Sequence, residues 1–103
     1  MGKKFIAALR QALKENPKSL KELSMKRIKV QLSIGKLTET LQHAQALEYL
    51  DISENVFSQY SVTDLCDFIR KAECLEYLNL NSCGLRGQIA EKVMDALMLN
   101  TSL

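Results

Sequence analysis

A stretch of eleven residues recurs along this chain at nearly constant spacing. Residues 47–57 read LEYLDISENVF, and residues 75–85 read LEYLNLNSCGL. A weaker copy, LKELSMKRIKV, occupies residues 20–30, so the copies begin 27 and then 28 residues apart. A fixed period of this length marks structural units that bury their cores against one another. The period therefore constrains the fold of the 103-residue chain more than any other feature.

Apolar residues occupy the first, fourth, sixth and eleventh positions of each copy. They are Leu20, Leu23, Met25 and Val30, then Leu47, Leu50, Ile52 and Phe57, then Leu75, Leu78, Leu80 and Leu85. The alternation at positions four to six predicts a short strand with one buried face. The ninth position holds Asn55 and Cys83, whose side chains can hydrogen-bond the backbone where the chain leaves the strand. The first copy has Ile28 there, which cannot do so.

The segments between these strands show helical periodicity. Pairs spaced i, i+4 lie at matching distances before the first leucine of each copy: Leu9/Leu13, Leu37/Leu41, Leu65/Ile69 and, before Leu103, Val93/Leu97. Each pair predicts one buried helix face. Asn16 and Pro17 should end the first helix, because proline cannot continue it. The sequence from Ser61 to Asp64 predicts a capping box that opens the third helix.

We therefore predict a single α/β domain over residues 1–103, with about three and a half repeats, parallel strands and right-handed crossovers. The predicted strands lie near 20–25, 47–52 and 75–80. The predicted helices lie near 3–15, 34–44, 62–72 and 88–99. Leu103 stands 28 residues after Leu75, where a further copy would begin. We expect the chain to be a fragment of a longer array.

Repeat arrays need capping units with polar outer faces, and the sequence shows no obvious cap at either end. The distribution of charge offers an alternative to a longer array. Residues 1–36 carry a net charge of +8 and residues 37–103 a net charge of −6, which sum to the chain's +2. Opposite charges at the two ends favour head-to-tail contact. In this alternative the chain self-associates through its uncapped ends, and the association weakens as salt rises.

The pattern L-x-x-L-x-L-x-x-N/C-x-L resembles the ribonuclease-inhibitor-like class of leucine-rich repeats. Residues 65–85 look like repeats of ribonuclease inhibitor and NOD-like receptors. Residues 96–103 look like helix ends of tropomodulin and the CARMIL actin regulators, and residues 46–85 look like the Ran GTPase-activating protein. The resemblance implies a horseshoe-shaped solenoid segment, with strands on the concave face and helices on the convex face. It also implies a scaffold for protein binding.

Variable positions of the strands would point outward from the concave face. Tyr49 and Tyr77 should be neighbours about 5 Å apart on adjacent strands. Such a pair suits protein recognition, although the rings could simply shield the sheet. Our candidate protein-binding residues on this face are Tyr49, Tyr77, Asp51, Asn79, Glu54 and Arg27.

A basic patch of Lys26, Arg27 and Lys29 follows the first strand. Three readings stay open: ordinary solvated side chains, an acidic protein partner, or nucleic-acid phosphate. Apart from Phe5, no aromatic residue is interleaved with these charges, which disfavours a stacking platform for single strands. We therefore expect a protein partner rather than nucleic acid.

Enzymatic chemistry has little support in the sequence. Resemblance to the Ran GTPase-activating family implies an arginine in an early strand-to-helix loop, but the residues around Arg27 and Lys29 do not reproduce that loop. We assign no catalytic, metal or cofactor-binding residue. The single His43 and the absence of a C-x-x-C pair agree with this assignment. GTPase activation remains an alternative to the non-enzymatic interaction module, as does a structural segment that contacts only neighbouring repeats.

The location of the protein follows from what the sequence lacks. No apolar run is long enough for a membrane span, and no secretory signal follows the basic start MGKK. Reduced cysteines also fit a cytosolic or nuclear protein. We expect a cytoplasmic protein, with the nucleus as the alternative location, and no membrane partner.

Overall fold

Helices and strands alternate along the chain. The computed structural model describes the backbone of residues 2–27 and 31–103 and the side chains of residues 4–27 and 36–103. The elements are α1 (Gly2–Glu15), β1 (Glu22–Ser24), α2 (Gln31–Leu41), β2 (Tyr49–Asp51), α3 (Gln59–Lys71), β3 (Tyr77–Asn79) and α4 (Gly87–Leu99). The strands form one parallel sheet in the order β1-β2-β3. The chain therefore has an α/β fold built on parallel strands.

Strand register follows the repeat in the sequence. Leu23 pairs with Leu50, and Leu50 pairs with Leu78. Leu23 and Leu50 belong to the hydrophobic core, and Leu78 packs against it. On β1, the residues before and after Leu23 are exposed. Because side chains alternate between the faces of a strand, one sheet face contributes to the core and the other carries the variable residues.

The core consists of the strand leucines and one face of each helix. Its helical residues include Leu13, Leu37, Leu41, Leu65, Ile69 and Val93. Leu9 and Leu97 are partly buried against the same cluster. The i, i+4 pairs thus do form the buried helix faces. Since helices and strand leucines share one cluster, the helices cover one face of the sheet.

The end of α2 differs from the predicted boundary, whereas the end of α1 agrees with it. Helix α2 ends at Leu41, three residues before the predicted end. The N–H groups of His43 and Ala44 instead bond the carbonyls of Thr40 and Leu41, three residues back, in a tighter turn. Helix α1 ends at Glu15, directly before Asn16 and Pro17.

The predicted capping box at Ser61 and Asp64 was wrong. The N-cap of α3 is Ser58, whose hydroxyl accepts a hydrogen bond from the Ser61 N–H at 3.2 Å. In return, Ser61 Oγ accepts from the Ser58 N–H at 2.8 Å. The helix thus begins a turn earlier than predicted, so Ser61 lies at its third residue and Asp64 lies inside it.

Side chains at the ninth repeat position tie each turn to the preceding repeat. Asn55 donates through Nδ2 to the carbonyls of Met25, Ile52 and Ser53 at 2.9, 2.8 and 3.1 Å. Cys83 Sγ lies 3.4 Å from the Ile52 carbonyl, which is the repeat equivalent of the Met25 carbonyl. The predicted backbone role of this position is confirmed. Ile28, its equivalent in the first copy, lies outside the described residues.

The end of α4 is bonded to the end of α3 by side chains that the sequence analysis did not single out. Asn100 donates through Nδ2 to the carbonyls of Ile69 at 2.6 Å and Ala72 at 3.0 Å. Ser102 Oγ donates to the Leu75 carbonyl at 2.7 Å and the Ala72 carbonyl at 3.2 Å. Carbonyls at the end of one helix are thereby satisfied by the next repeat.

Burial depends on position in the series of repeats. Leu50 and Ile52 are 0% exposed, whereas their equivalents Leu78 and Leu80 are only partly buried. Cys66 on α3 is buried beneath the next helix, but its equivalent on α4, Met94, is 58% exposed. Each repeat is therefore covered by the one that follows it.

Candidate functional site: the open sheet face

The sheet face opposite the core carries the variable strand residues. We call it the open sheet face and define it by six residues at matching strand positions: Glu22, Ser24, Tyr49, Asp51, Tyr77 and Asn79. Glu22 pairs in register with Tyr49, which pairs with Tyr77. Ser24, Asp51 and Asn79 form the second such row. Parallel pairing thus brings the outward residues of three repeats together.

The two tyrosines of the open sheet face stack on each other. Their ring centroids are 4.4 Å apart and their planes differ by only 3°. Tyr77 is 45% exposed, and Tyr49, on the central strand, is partly buried. A pair of parallel rings with one exposed member offers a large, rigid contact area to a second molecule.

Two carboxylates, those of Asp51 and Glu22, act on the Tyr49 ring of the tyrosine pair. Partial burial raises the pKa of the Tyr49 phenol, and the neighbouring Tyr77, Asp51 and Glu22 raise it further. Hydrogen bonds from Ser53 are the main reason that the pKa of Asp51 is lowered. Asp51 is consequently ionised at neutral pH, near the Tyr49 phenol, whose raised pKa keeps it neutral.

Asp51 and Asn79 also have a structural role that the sequence analysis missed. Asp51 Oδ1 accepts from the Ser53 N–H at 3.0 Å, and Asn79 Oδ1 accepts from the Asn81 N–H at 2.9 Å. Each side chain bonds the backbone two residues on, as Asp and Asn commonly do in turns. Their identical repeat position, with a polar residue two places later, was the available signal.

The eighth repeat position has an unusual backbone conformation. Arg27, Glu54 and Ser82 all adopt positive φ, at 54°, 57° and 58°. This region is unfavourable for residues other than glycine. Its recurrence at one repeat position shows that the turn geometry, rather than the residue type, sets the backbone there.

Two of these residues form an ion pair between neighbouring repeats. Arg27 donates to Glu54 Oε1 through Nε at 3.2 Å and also through Nη2. Lys26 Nζ lies 2.9 Å from the other carboxylate oxygen of Glu54. The hydrogen bond from Arg27, followed by that from Lys26, lowers the pKa of Glu54. Glu54 raises the pKa of Arg27 in turn.

The candidate residues thus fall into two groups. The open sheet face carries Tyr49, Tyr77, Asp51 and Asn79. Beside it, in the turns that follow strands β1 and β2, lie Arg27 and Glu54. Within the predicted basic patch, Lys26 and Arg27 share the carboxylate of Glu54. Lys29, its third member, lies outside the described residues.

This arrangement suits binding by contact, stacking and hydrogen bonding. In the described part of the chain, no group of three or more His, Cys, Asp or Glu could hold a metal ion. Burial raises the pKa of the Cys66 and Cys83 thiols, which makes them poor nucleophiles at neutral pH. None of the helices over the described ranges is both long and apolar enough to cross a bilayer.

Comparisons with known proteins agree with the repeat in the sequence. The family model described as Leucine Rich Repeat matches residues 74–95. The chain is similar in structure to the tropomodulin C-terminal domain of Caenorhabditis elegans, with a TM-score of 0.79 and 19% sequence identity. That similarity covers 94% of this chain and 59% of the other, so this chain spans somewhat more than half of the solved domain. No curated protein matches the sequence. Residues 74–95 thus match a leucine-rich repeat, and the structural similarity shows that the chain shares the fold of that domain.

Proposed function

We propose that the chain is a non-enzymatic protein-protein interaction module that binds a protein partner through its open sheet face. The observation that carries this proposal is the stacked pair Tyr49 and Tyr77, which is partly exposed on a sheet face without a helix over it. Tyrosine is enriched among the residues that dominate binding energy at interfaces. Two rings already held in one geometry lose little conformational freedom on binding.

The remaining candidate residues extend this surface. Asp51 and Asn79 lie in the row beside the tyrosines, and Arg27 and Glu54 lie at the strand exits. We infer a right-handed solenoid segment of about three and a half repeats, of the ribonuclease-inhibitor-like type, in which the open sheet face is concave. We also infer that the segment belongs to a longer array in a cytoplasmic protein and acts without a cofactor.

An experiment with matched tyrosine substitutions tests this function. Quantitative pull-down would compare the wild type with Tyr77→Ala and with Tyr60→Ala. Tyr60 is the control because it is 87% exposed on α3 and lies away from the sheet. We expect Tyr77→Ala to lose at least one specifically captured protein that Tyr60→Ala retains, while both keep the wild-type far-UV circular dichroism. Equal capture by both variants would reject the tyrosine pair as the anchor.

Exposed apolar side chains on α4 favour a second candidate function. Met94, Met98 and Leu99 are exposed at the last repeat, where a further repeat or a second copy of the chain could cover them. In this case the chain is a structural segment that contacts only neighbouring repeats, or it self-associates. Sedimentation equilibrium at low and high salt tests self-association. A monomer at every salt and protein concentration would exclude it.

GTPase activation has less support from the geometry. The guanidinium of Arg27 is paired with Glu54 rather than free to reach a partner's nucleotide. A single-turnover assay with Ran and GTP decides this alternative. Acceleration that Arg27→Ala abolishes would support it, and no acceleration would exclude it.

A further inference from the structure

We propose that a groove between the loops that enter the three strands, separate from the open sheet face, binds an acidic segment of a protein partner. We call it the loop groove. Residues from all three loops line it, including Lys18, Lys21, Gln45, Phe68, Lys71 and Glu73. This inference goes beyond the proposed function, because it assigns a second surface and the chemistry that this surface binds.

The loop groove lies within the described repeats. Lys18 and Lys21 belong to the loop between α1 and β1, and Gln45 belongs to the loop between α2 and β2. The end of α3 and the loop after it supply residues 68 and 71–74. The loop before β2 thus forms the middle of the groove, and the loops before β1 and β3 form its sides. Any further repeat would stack beyond α1 or beyond α4, outside these three loops.

Hydrogen bonds between the loops hold the groove in shape. The Gln45 N–H donates to the Pro17 carbonyl at 3.0 Å, which joins the loop before β2 to the loop before β1. Gln42 Nε2 donates to the Asp64 carbonyl at 2.6 Å, which joins the end of α2 to α3. The groove has a volume of about 610 Å³, within the range of ligand sites in proteins. A groove already held in shape loses less conformational freedom when a partner binds.

Positive charge predominates in the loop groove. Its lining includes Lys18, Lys21 and Lys71 but one carboxylate, that of Glu73. Within residues 4–27 and 36–103, neither Lys18 nor Lys71 takes part in an ion pair. Lys21 lies 3.9 Å from the Glu48 carboxylate, in an exposed pair that contributes little. Because a concave surface lined by one sign of charge concentrates its field, the groove attracts anionic groups.

An acidic peptide fits the loop groove better than a nucleic acid does. Among the described lining residues, the one aromatic side chain is Phe68, which is 4% exposed and offers no ring on which a base can stack. The small side chains of Ala44 and Ala46 allow a peptide backbone to lie close. Lys18 and Lys71 lie two strand spacings apart, at least about 10 Å. Two acidic side chains on one extended peptide can therefore reach both lysines.

The inference is tested with short probes added to the isotope-labelled protein. The main probe is acetyl-Glu-Ala-Leu-Ala-Glu-amide, whose carboxylates are about 13 Å apart when the peptide is extended. Two control peptides replace both glutamates, one with glutamine and the other with lysine. Pentathymidylate is the nucleic-acid control. Backbone amide NMR shifts report both the affinity and the place of binding.

We expect the glutamate peptide to shift the amides of Gln45 and Glu73 and to bind about three- to tenfold more tightly than the glutamine peptide. Its binding should weaken when salt rises from about 50 mM to about 500 mM, because screening reduces attraction between exposed charges. Equal binding of the glutamate and glutamine peptides, tighter binding of the lysine peptide, or no binding of the glutamate peptide would overturn the inference. Tighter binding of pentathymidylate would assign the groove to phosphate instead.

Matched variants locate the charges. Lys18→Gln combined with Lys71→Gln should weaken binding of the glutamate peptide about three- to tenfold. Lys4→Gln combined with Lys92→Gln removes the same charge at exposed positions on α1 and α4 outside the groove, and it should leave binding close to that of the wild type. Equal weakening by the two double variants would show that net charge, rather than the groove, attracts the peptide.

The thiol of Cys74 gives a second measurement on the wild-type protein. Cys74 is exposed and lines the loop groove. A saturating concentration of the glutamate peptide should therefore slow its modification by N-ethylmaleimide, whereas the lysine peptide should not. An unchanged rate would refute the proposed place of binding.

Tyr77→Ala separates this inference from the proposed function. It should bind the glutamate peptide as tightly as the wild type, because Tyr77 lies on the open sheet face. Loss of peptide binding in this variant would place the peptide on the open sheet face and overturn the inference. If the peptide fails to bind but Tyr77→Ala still loses a captured partner, the loop groove is wrong and the proposed function remains.

Discussion

The side-chain amide of Asn55 lies 2.9 Å from the main-chain carbonyl of Met25, which belongs to the preceding repeat. The contact joins the turn after strand β2 to the preceding repeat. Asn55 is 1% exposed and donates to two further carbonyls of its own turn. Loss of its side chain would leave buried carbonyls without their partners, which is more costly than the loss of an exposed hydrogen bond.

We therefore expect Asn55→Ala to lower the free energy of unfolding by about 2–4 kcal/mol, measured by urea denaturation. Asn55→Cys should be less harmful, because Cys83 makes the equivalent contact with the Ile52 carbonyl. The exposed neighbour Val56 supplies the control Val56→Ala, which should change stability little. A loss for Asn55→Ala no larger than the control's would contradict the structural role of Asn55.

The end of the chain provides a second prediction. Asn100 donates to Ile69 and Ala72, and its Oδ1 accepts from the N–H groups of Ser102 and Leu103, each at 2.7 Å. Asn100→Ala should cost about 1–3 kcal/mol of stability. It should also accelerate hydrogen exchange at Ser102 and Leu103. Thr101→Ala, at the exposed residue between Asn100 and Ser102, is the control, and similar exchange in the two variants would count against this role.

The corrected start of α3 can be checked directly. Ser58→Ala removes the N-cap acceptor and should destabilise the protein by about 0.5–2 kcal/mol, whereas Ser58→Asp should retain most of the stability. Asp64→Ala should have little effect, because the Asp64 side chain is not part of the capping box. Thermal or urea unfolding of the three variants suffices. A larger loss for Asp64→Ala than for Ser58→Ala would restore the original assignment.

Stability should depend on the ionisation of Glu54. Hydrogen bonds from Arg27 and Lys26 lower the pKa of Glu54 in the folded protein. Its contribution is therefore present above the unfolded value of about 4.3 and is lost as pH falls through the lower folded value. Glu54→Gln should thus be less stable than the wild type at pH 7, and the two should converge in acid.

Urea midpoints across this pH range measure the convergence. Glu91→Gln is the control, because Glu91 is exposed on α4 and makes no ion pair in the described part of the chain. A constant difference in urea midpoint between Glu54→Gln and the wild type at every pH would show that the ion pair does not control the loss of stability in acid.

The three cysteines should react at two different rates. Cys74 is exposed, whereas Cys66 and Cys83 are buried, and burial raises the pKa of both buried thiols. At pH 8, a thiol reagent should therefore modify Cys74 rapidly and the other two only after unfolding. Peptide mass spectrometry identifies the modified residue. Rapid modification of Cys83 would contradict its place in the strand-exit turn.

Periodicity was sufficient to predict the alternation of elements and their shared core. The positions of Leu23, Leu50 and Leu78 follow from the 27- and 28-residue spacing alone, and so does the register that places Tyr49 beside Tyr77. Repetition carries this information because each unit must bury the same face against its neighbours.

Contacts that depend on local geometry were harder to predict. Two overlapping serine-led patterns, from Ser58 and from Ser61, each fit a helix start, and the sequence does not indicate which one the chain uses. The turn-forming roles of Asp51 and Asn79 were hidden because polar residues are expected on any exposed strand face. Arg27 and Glu54 occupied equivalent positions, but only the structure shows that their side chains meet.

Graded burial along the repeats has a consequence for unfolding. The second repeat is covered on both sides, so Leu47, Leu50 and Ile52 are at most 2% exposed, while Leu78 and Leu80 remain partly open. In a chain of nearest-neighbour contacts, local opening starts where a unit has one neighbour instead of two. The second repeat should therefore be the unit that opens least readily. Its strand should be the last to exchange amide hydrogens, and the outer repeats should fray towards it.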